Sequence, residues 1–205
     1  RQNGWIFGAI DGQHWAWFGD EAISPTVDWS MGFYGDVERA YDNIMFTGPN
    51  HLMVISAGNQ RLEGPDTQPT EHHEWDGDSW ELVQDVRELD GGPNGFDSLP
   101  PGQSTKNAVI SGATFKNAGG YSGPGSVRMS GFSCWGPPDD GRVKPDNVAP
   151  GVSIFVGETG GGYGFADGTS FSAPITTGVV GLISEHYQNA FNSTPSGAML
   201  RTLLN

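Results

Sequence analysis

The stretch that decides the fold is Gly168-Thr169-Ser170-Phe171-Ser172-Ala173-Pro174. Small residues favour a tight turn here, and the proline follows in the first turn of a predicted helix, where its missing N–H costs little. The largely apolar run that follows predicts a long helix over residues 171–187. Such a turn presents Ser170 at a helix N-terminus, where free N–H groups and the helix dipole favour an oxyanion. It equally suits a serine that only caps the helix.

A second stretch, Ser56-Ala57-Gly58-Asn59, follows an almost unbroken apolar run over residues 52–56. That run predicts a strand buried on both faces of a parallel sheet. Open α/β sheets bind ligands beyond the carboxyl ends of their strands, so the Asn59 amide is placed to donate to a developing oxyanion. A Gly-Asn pair after a strand is also typical of an ordinary turn.

Other segments show the periodicity of α/β proteins. Apolar residues at helical spacing predict a helix with one apolar face from Val37 to Met45, ended by Gly48-Pro49. Short strands are predicted at residues 26–31, 108–113 and 152–156. With 205 residues, 32 glycines and 14 prolines, the chain is long enough for one sizeable core with many turns. The sequence therefore predicts the α/β class.

A third stretch completes a pattern. Phe132-Ser133-Cys134-Trp135-Gly136-Pro137 is followed by Lys144-Pro145-Asp146-Asn147-Val148-Ala149-Pro150-Gly151. Taken in order, the three stretches resemble the signatures of the subtilisin-like serine proteases (subtilases, peptidase S8 family). Residues 168–174 resemble the family's Gly-Thr-Ser-Met-Ala-Ser-Pro and residues 56–59 its Ala-Gly-Asn. The third stretch resembles Ser-Trp-Gly-Pro and Lys-Pro-Asp-x-x-Ala-Pro-Gly, and residues 105–109 resemble the lead into the next core strand.

The resemblance implies a subtilisin-like three-layer sandwich with a parallel sheet. Residues 1–205 would be the C-terminal part of the catalytic domain and therefore an incomplete domain. It also implies peptide-bond hydrolysis through an acyl-enzyme on Ser170, with the Asn59 amide and the Ser170 backbone N–H in the oxyanion hole.

The same resemblance extends to substrate binding. Ser30-Met31-Gly32 matches the family's Ser-Leu-Gly segment, whose edge pairs with an extended peptide and borders the S1 pocket. Ser56-Ala57-Gly58 would form the opposite wall. Gly168 and Thr169, from the turn before Ser170, complete the expected substrate contacts.

The family's catalytic Asp and His segments have no counterpart before Ser30. Asp11-Gly12 only superficially resembles the Asp segment. His186 would lie about 24 Å from Ser170 on the same helix, and His51 precedes the strand at the end opposite Asn59. We therefore expect the missing N-terminal part of the domain, which carries the Asp and His, to lie upstream in a longer chain. We also expect residues 1–205 alone to be inactive.

Two other interpretations stay open from the sequence. In the first, the chain is a non-catalytic, subtilase-like protein-binding module; an intact upstream Asp and His would exclude this interpretation. In the second, it is an unrelated α/β domain with a helix-capping serine; a structure that lacks a shared cleft for Ser170 and Asn59 would support this one.

Composition limits the partners. A net charge of −14 with only ten basic residues argues against nucleic acid, and no 18-residue apolar run predicts a membrane span. The single Cys134 excludes an internal disulfide. A polypeptide substrate and a secreted or cell-envelope location follow from the resemblance. No cofactor is required, and structural calcium is compatible with the acidic loops but cannot be assigned to residues.

The acidic charge is concentrated in one segment. Residues 61–97 hold 11 of the 24 acidic side chains, against two arginines. This composition predicts a surface insertion that lies outside the central sheet. His72-His73, beside Glu71 and Glu74, could bind a metal there, but the sequence favours a solvated polar loop, and no metal site is predicted.

Overall fold

The computed structural model describes residues 2–205. Within this range the chain forms three α-helices and nine short strands arranged in two sheets and a hairpin. The strands are β1 Trp5–Phe7, β2 Trp15–Trp17, β3 Val54–Ser56, β4 His72–Trp75, β5 Trp80–Val83, β6 Val109–Thr114, β7 Asn147–Pro150, β8 Ile154–Gly157 and β9 Tyr163–Ala166. The helices are α1 Asp36–Thr47, α2 Thr169–Phe191 and α3 Gly197–Leu204.

Three strands form a parallel sheet in the order β3-β6-β7. The central strand β6 is buried along its whole length, as expected for a strand covered on both faces. Because successive side chains point to opposite faces, Ile110 packs with Met45 of α1, whereas Ser111 Oγ lies 2.9 Å from Thr176 Oγ1 of α2. Helix α1, the sheet and α2 thus form three layers. The predicted α/β class with a parallel sheet is confirmed.

A second sheet has the order β1-β2-β4-β5. Strands β2 and β4 are parallel, while the outer pairs are antiparallel hairpins. Its core is aromatic, because Trp5, Trp17 and His72 are at most 2% exposed. The acidic segment 61–97 supplies β4 and β5, and eight of its 11 acidic residues are exposed while Asp90 is buried. The segment is thus folded against the N-terminal hairpin, outside the parallel sheet.

The strand predicted at residues 26–31 is wrong. These residues form turns and bends. The cause is the side chain of Asp28, whose Oδ1 accepts a hydrogen bond from Ser30 N, while Met31 N donates to the Asp28 carbonyl. Aspartate competes in this way with the strand ladder for nearby N–H groups. The strand predicted at 152–156 forms two residues later and pairs with β9 rather than with the parallel sheet.

Helix α1 lies where the sequence predicts it but buries a different face. Glu38 and Asp42 are buried, whereas Val37 and Ile44 of the predicted apolar face are nearly half exposed. The two carboxylates are held inside because they accept backbone N–H groups from the loop 102–107, which connects to β6. Such hydrogen bonds offset the cost of burying charge.

Helix α2 begins two residues before the predicted start and packs against the parallel sheet. Its buried positions, Thr169, Ser172, Thr176 and Val180, follow helical spacing. Three of them are small hydroxyl residues, which let the helix lie close to the strands. Of the helices formed by residues 2–205, none is long and apolar enough to cross a lipid bilayer.

Candidate active site

The end of β3 and the beginning of α2 meet at the carboxyl edge of the parallel sheet. Asn59 Oδ1 accepts hydrogen bonds from Thr169 N and from Thr169 Oγ1, both at 2.8 Å. Gly58 N donates to Thr169 Oγ1 at 3.2 Å. Because both donors of Thr169 bind Oδ1, the orientation of the Asn59 amide is defined, and its Nδ2 is free of these contacts.

Gly168 leaves open the space between the two candidate oxyanion donors. Its backbone has φ +153° and ψ 151°, a conformation that is essentially restricted to glycine. A Cβ built on Gly168 would lie 3.5 Å from Asn59 Nδ2 and 3.7 Å from Ser170 N. Both N–H donors therefore lie within 4 Å of one point, which any side chain at residue 168 would occupy.

The start of α2 is anchored on the end of β7. Gly168 N donates to Gly151 O at 2.8 Å, and Ser172 Oγ donates to Ala149 O at 3.0 Å. A Cβ on Gly151 would come within 2.5 Å of Ser172 Oγ, so the close approach requires glycine there. These contacts fix the helix N-terminus, whose free N–H groups and positive dipole end face the site.

The side chains that face the site are accessible. Ser170 and Asn59 are both exposed, whereas Gly168 and Thr169 beneath them are buried. The buried residues thus leave both the Ser170 hydroxyl and the Asn59 amide accessible to a ligand. An accessible serine hydroxyl at a helix N-terminus, with N–H donors nearby, is the combination that acyl transfer to serine requires.

The thiol near the site is not a competing nucleophile. A Cβ on Gly58 would lie 3.0 Å from Cys134 Sγ, so the sulfur lies just behind the end of β3. Cys134 is fully buried, and this burial raises the pKa of its thiol to about 12. The reactive form of cysteine is the thiolate, so Cys134 is inert at neutral pH.

The structure brings together only some of the residues predicted from the sequence. Ser56-Ala57-Gly58, Asn59 and the turn 168–170 share one edge of the sheet. Ser30-Met31-Gly32 is a buried turn held by other neighbours, because Gly32 N donates to Leu99 O and Gly32 O accepts from Asp139 N. A role of this segment in peptide binding stays a prediction.

The histidines within residues 2–205 all lie away from Ser170. They are in the second sheet or its hairpin turn (His14, His72, His73), before β3 (His51) and late in α2 (His186). His72 bonds to Glu74, and both His14 and His73 bond to Asp11. Within the described residues the site thus contains a hydroxyl and oxyanion donors but no histidine base.

Residues 18–205 match the model of the subtilase family, Peptidase S8. The chain belongs to the subtilase family. Over 101 residues it is 36% identical to the C5a peptidase of Streptococcus pyogenes serotype M3, which covers 49% of this chain. It is 34% identical over 113 residues to the subtilisin-like protease SBT3.16 of Arabidopsis thaliana, covering 54% of this chain. The interpretation as an unrelated α/β domain is therefore wrong.

Solved structures agree on the fold. The self-cleaved protease domain of PatA superposes with a TM-score of 0.52 at 23% identity, covering 84% of this subtilase chain and 47% of that one. The fold is thus a partial subtilisin-like α/β domain. This subtilase chain spans only 8% of the length of the C5a peptidase and 15% of that of the Arabidopsis protease.

Sequence reasoning missed what holds the site in place. In the structure the N–H and hydroxyl of Thr169 orient Asn59, a role that is not predicted from the sequence. The predicted contact of Thr169 with substrate stays a prediction. Thr176 accepts from Asn147 Nδ2 and lies against Ser111, which ties α2 to two strands. The signal available in the sequence is the spacing of Thr169, Ser172 and Thr176, which lie on one face of the helix.

Proposed function

We propose that the chain supplies the nucleophile and oxyanion hole of a serine endopeptidase. The observation that carries the proposal is that Asn59 Nδ2 and Ser170 N both lie within 4 Å of one point beside Gly168. Family membership supports serine protease chemistry in general, and this geometry supports these residues in particular. We further propose that the substrates are polypeptides and that the enzyme acts outside the cell or at its envelope, as the family resemblance implies.

The proposed reaction begins with attack of Ser170 Oγ on the scissile carbonyl carbon. The hydroxyl proton passes to a histidine base, and the carbonyl π electrons move onto oxygen, which becomes the oxyanion. Asn59 Nδ2 and Ser170 N donate hydrogen bonds to this oxygen. Collapse of the intermediate breaks the C–N bond, the amine leaves with the proton, and the acyl group stays on Ser170. Water then attacks the ester and gives its proton to the histidine. The histidine returns a proton to Ser170 Oγ as the acid product leaves.

The histidine base and its aspartate are proposed to come from another part of the complete protein. The described histidines lie at the second sheet, before β3 and late in α2, and the chain covers less than half of the PatA protease domain. Without a base the serine hydroxyl stays protonated and is a poor nucleophile. We therefore propose that residues 1–205 alone do not hydrolyse peptides at a protease's rate.

Peptide binding is proposed along the edge formed by Ser56-Ala57-Gly58 and the turn at Gly168. Ser30-Met31-Gly32 would form the other side, as the resemblance implies. Because this segment is a turn in the structure, it would have to extend before its N–H and C=O groups pair with a peptide. We propose that the histidine base and this extended conformation are both present only in the complete domain.

The test compares residues 1–205 with a longer protein that includes the upstream Asp and His. Each is treated with a fluorophosphonate, which labels activated serines, and assayed for casein cleavage. Ser170→Ala is compared with Ser193→Ala, an exposed serine beyond α2. We expect labelling and cleavage only in the longer protein, both abolished by Ser170→Ala and unaffected by Ser193→Ala.

Other outcomes distinguish the alternatives. Turnover by residues 1–205 alone would overturn the claim that the base lies elsewhere. A longer protein that has an intact Asp and His but neither labels nor cleaves would instead support the non-catalytic binding module.

A further inference from the structure

Three metal-ligating side chains meet at the turn of the N-terminal hairpin. His14 Nδ1 lies 2.6 Å from Asp11 Oδ2, and His73 Nε2 of β4 lies 3.1 Å from the same oxygen. The ligand atoms of the three residues all fall within 4.8 Å of one another. Asp11 and His73 are 62 positions apart in sequence, so only the pairing of β2 with β4 brings them together.

The carboxylate is oriented by its own turn. Asp11 Oδ1 accepts the N–H groups of Gln13 and His14 at 2.8 and 2.9 Å, which leaves Oδ2 for the two imidazoles. The free oxygen Oδ2 therefore lies between the two imidazole rings.

From this geometry we infer that Asp11, His14 and His73 form a binding site for a zinc-type divalent cation. Two imidazole nitrogens and one carboxylate oxygen are a ligand set that suits zinc, whereas calcium and magnesium prefer oxygen ligands only. The remaining coordination position would be taken by water. The site lies on the second sheet and does not depend on the proposed function.

Two of the three ligand pairs lie close to the separation that a bound zinc ion requires, and the third pair, His14–His73, lies within 4.8 Å. Tetrahedral zinc with bonds of about 2.0–2.2 Å holds its ligand atoms roughly 3.3–3.6 Å apart. The pair Asp11–His73 is already near that separation at 3.1 Å. The pair Asp11–His14 must open from 2.6 Å, which is feasible because the two side chains are 32% and 33% exposed.

One feature limits the affinity. His73 Nδ1 is buried without a hydrogen-bond partner. Histidine ligands normally donate their second N–H to an acceptor, which increases their basicity. Because this support is missing, we expect affinity for the ion to be about 10–100-fold weaker than at a site whose histidines are all supported. A bound ion would nevertheless link the hairpin turn to β4 and stabilise the second sheet, because it binds only the folded arrangement.

The experiment uses the complete protein after removal of metal with a chelator. Co²⁺ is titrated first, because its visible absorption reports tetrahedral coordination, and Zn²⁺ is then added as competitor. Asp11→Asn and His73→Gln are compared with His51→Gln, a histidine outside the cluster. We expect Asp11→Asn and His73→Gln either to bind one equivalent less of Co²⁺ or to bind it with an affinity weakened by about 10–100-fold or more. His51→Gln should match the wild-type protein.

The thermal midpoint gives an independent measurement. Zn²⁺ should raise it by several degrees in the wild-type protein and in His51→Gln, but not in Asp11→Asn or His73→Gln. If His73→Gln does not fold, the more exposed His14→Gln replaces it. Equal Co²⁺ binding and equal Zn²⁺ stabilisation in all variants would overturn the inference and leave a hydrogen-bonded Asp–His cluster only. Displacement of Co²⁺ by Mg²⁺ as readily as by Zn²⁺ would overturn the assigned metal class.

Discussion

The parallel sheet and the second sheet are stabilised by different kinds of side chain. Beneath the candidate active site, Ala57, Leu99, Ala108 and Ile110 are fully buried and form an apolar cluster with Met45. In the second sheet, the tryptophans pack around a buried network of His72, Glu74 and Arg87.

The difference has a functional consequence. Charges are also buried at the parallel sheet, but Lys144 and Asp146 lie before β7, at the end of the sheet opposite the site. The site itself is held by hydroxyls, backbone groups and the Asn59 amide, which do not titrate near neutral pH. We therefore expect changes of pH, and substitutions of the ion-pair residues of the second sheet, to leave the geometry of the site unchanged.

The largest effect on stability is expected from Arg87→Ala. Arg87 Nε and Nη2 each lie 2.8 Å from an oxygen of Glu74, and the arginine side chain is only 8% exposed. Removing one partner of a buried ion pair leaves a buried charge, and this typically costs about 3–5 kcal/mol. Arg39→Ala, which breaks an exposed pair with Asp36, should cost about 0–1 kcal/mol.

Urea unfolding of the complete protein measures this difference. Tryptophan fluorescence reports mainly the second sheet, because five of the seven tryptophans lie in β1, β2, β4 and β5. If the two variants Arg87→Ala and Arg39→Ala unfold at the same urea concentration within error, the buried network is not what stabilises this sheet.

The largest effect on activity is expected from Asn59→Asp in the complete protein. The aspartate keeps an acceptor for Thr169 N but replaces the Nδ2 donor with an oxygen that repels an oxyanion. Loss of one such donor lowers kcat by about 10²–10³-fold in subtilisin, a member of this family, which corresponds to about 3–4 kcal/mol. The KM and the fluorescence transition in urea should change little.

A higher KM with kcat unchanged would contradict the oxyanion role of Asn59. A coupled loss of stability would instead indicate that Asn59 is structural, through its bonds to Thr169. Steady-state kinetics and urea unfolding of the same preparation separate the two results.

Gly168→Ala is expected to have a smaller but specific effect. A side chain at φ +153° is strained by about 1–3 kcal/mol, and the new Cβ would occupy the point shared by Asn59 Nδ2 and Ser170 N. Gly160→Ala is the matched control, because Gly160 also has positive φ, +92°, but a Cβ there meets nothing within 4 Å. Fluorophosphonate labelling of Ser170 should slow in the first variant only. Equal slowing in both would mean that backbone strain, rather than the filled space, is responsible.

The sequence predicted the two sheets unequally, for physical reasons. Ser170 lies at the beginning of α2 and Asn59 follows β3. The small residues and apolar runs around both are local signals, so the sequence predicts that the beginning of α2 and the end of β3 meet at the sheet edge. The orientation of Asn59 depends on Thr169, which is 110 positions away, and no local pattern encodes that contact.

The second sheet was not predicted. Its strands β1 and β2 have three residues each, and tryptophans at both ends of β2 hide the alternation that marks a strand. The composition of residues 61–97 indicated exposure but not the pairing of β4 with β2. The false strand at 26–31 arose because the apolar pattern does not show that the Asp28 side chain binds its own backbone.

Near pH 5 the smallest effect is expected from Asp90→Asn, and the pH dependence of this variant tests the comparison of the sheets. Asp90 is 4% exposed, and burial, with the negative charges of Asp28 and Glu63, raises the pKa of its carboxyl to about 8 despite the hydrogen bond from Trp5 N. An unfolded aspartate titrates near pH 4. Between these values the folded protein retains a proton that the unfolded chain has lost, so the free energy of unfolding decreases as pH rises from about 4 to 8.

Asp90→Asn removes this titration, and its amide oxygen can still accept from Trp5 N. The variant and the wild-type protein should be similarly stable near pH 5, and the variant should become more stable by up to about 3–4 kcal/mol at pH 8. The opposite trend comes from Glu74. Although desolvation opposes it, hydrogen bonds from His72 and Arg87 lower the pKa of Glu74, so its stabilisation is lost only as pH falls below the ordinary glutamate range. Urea unfolding followed by tryptophan fluorescence at several pH values between 5 and 8 therefore isolates Asp90. Parallel pH profiles for the two proteins would show that Asp90 is ionised in the folded state, and that burial in the second sheet does not control its protonation.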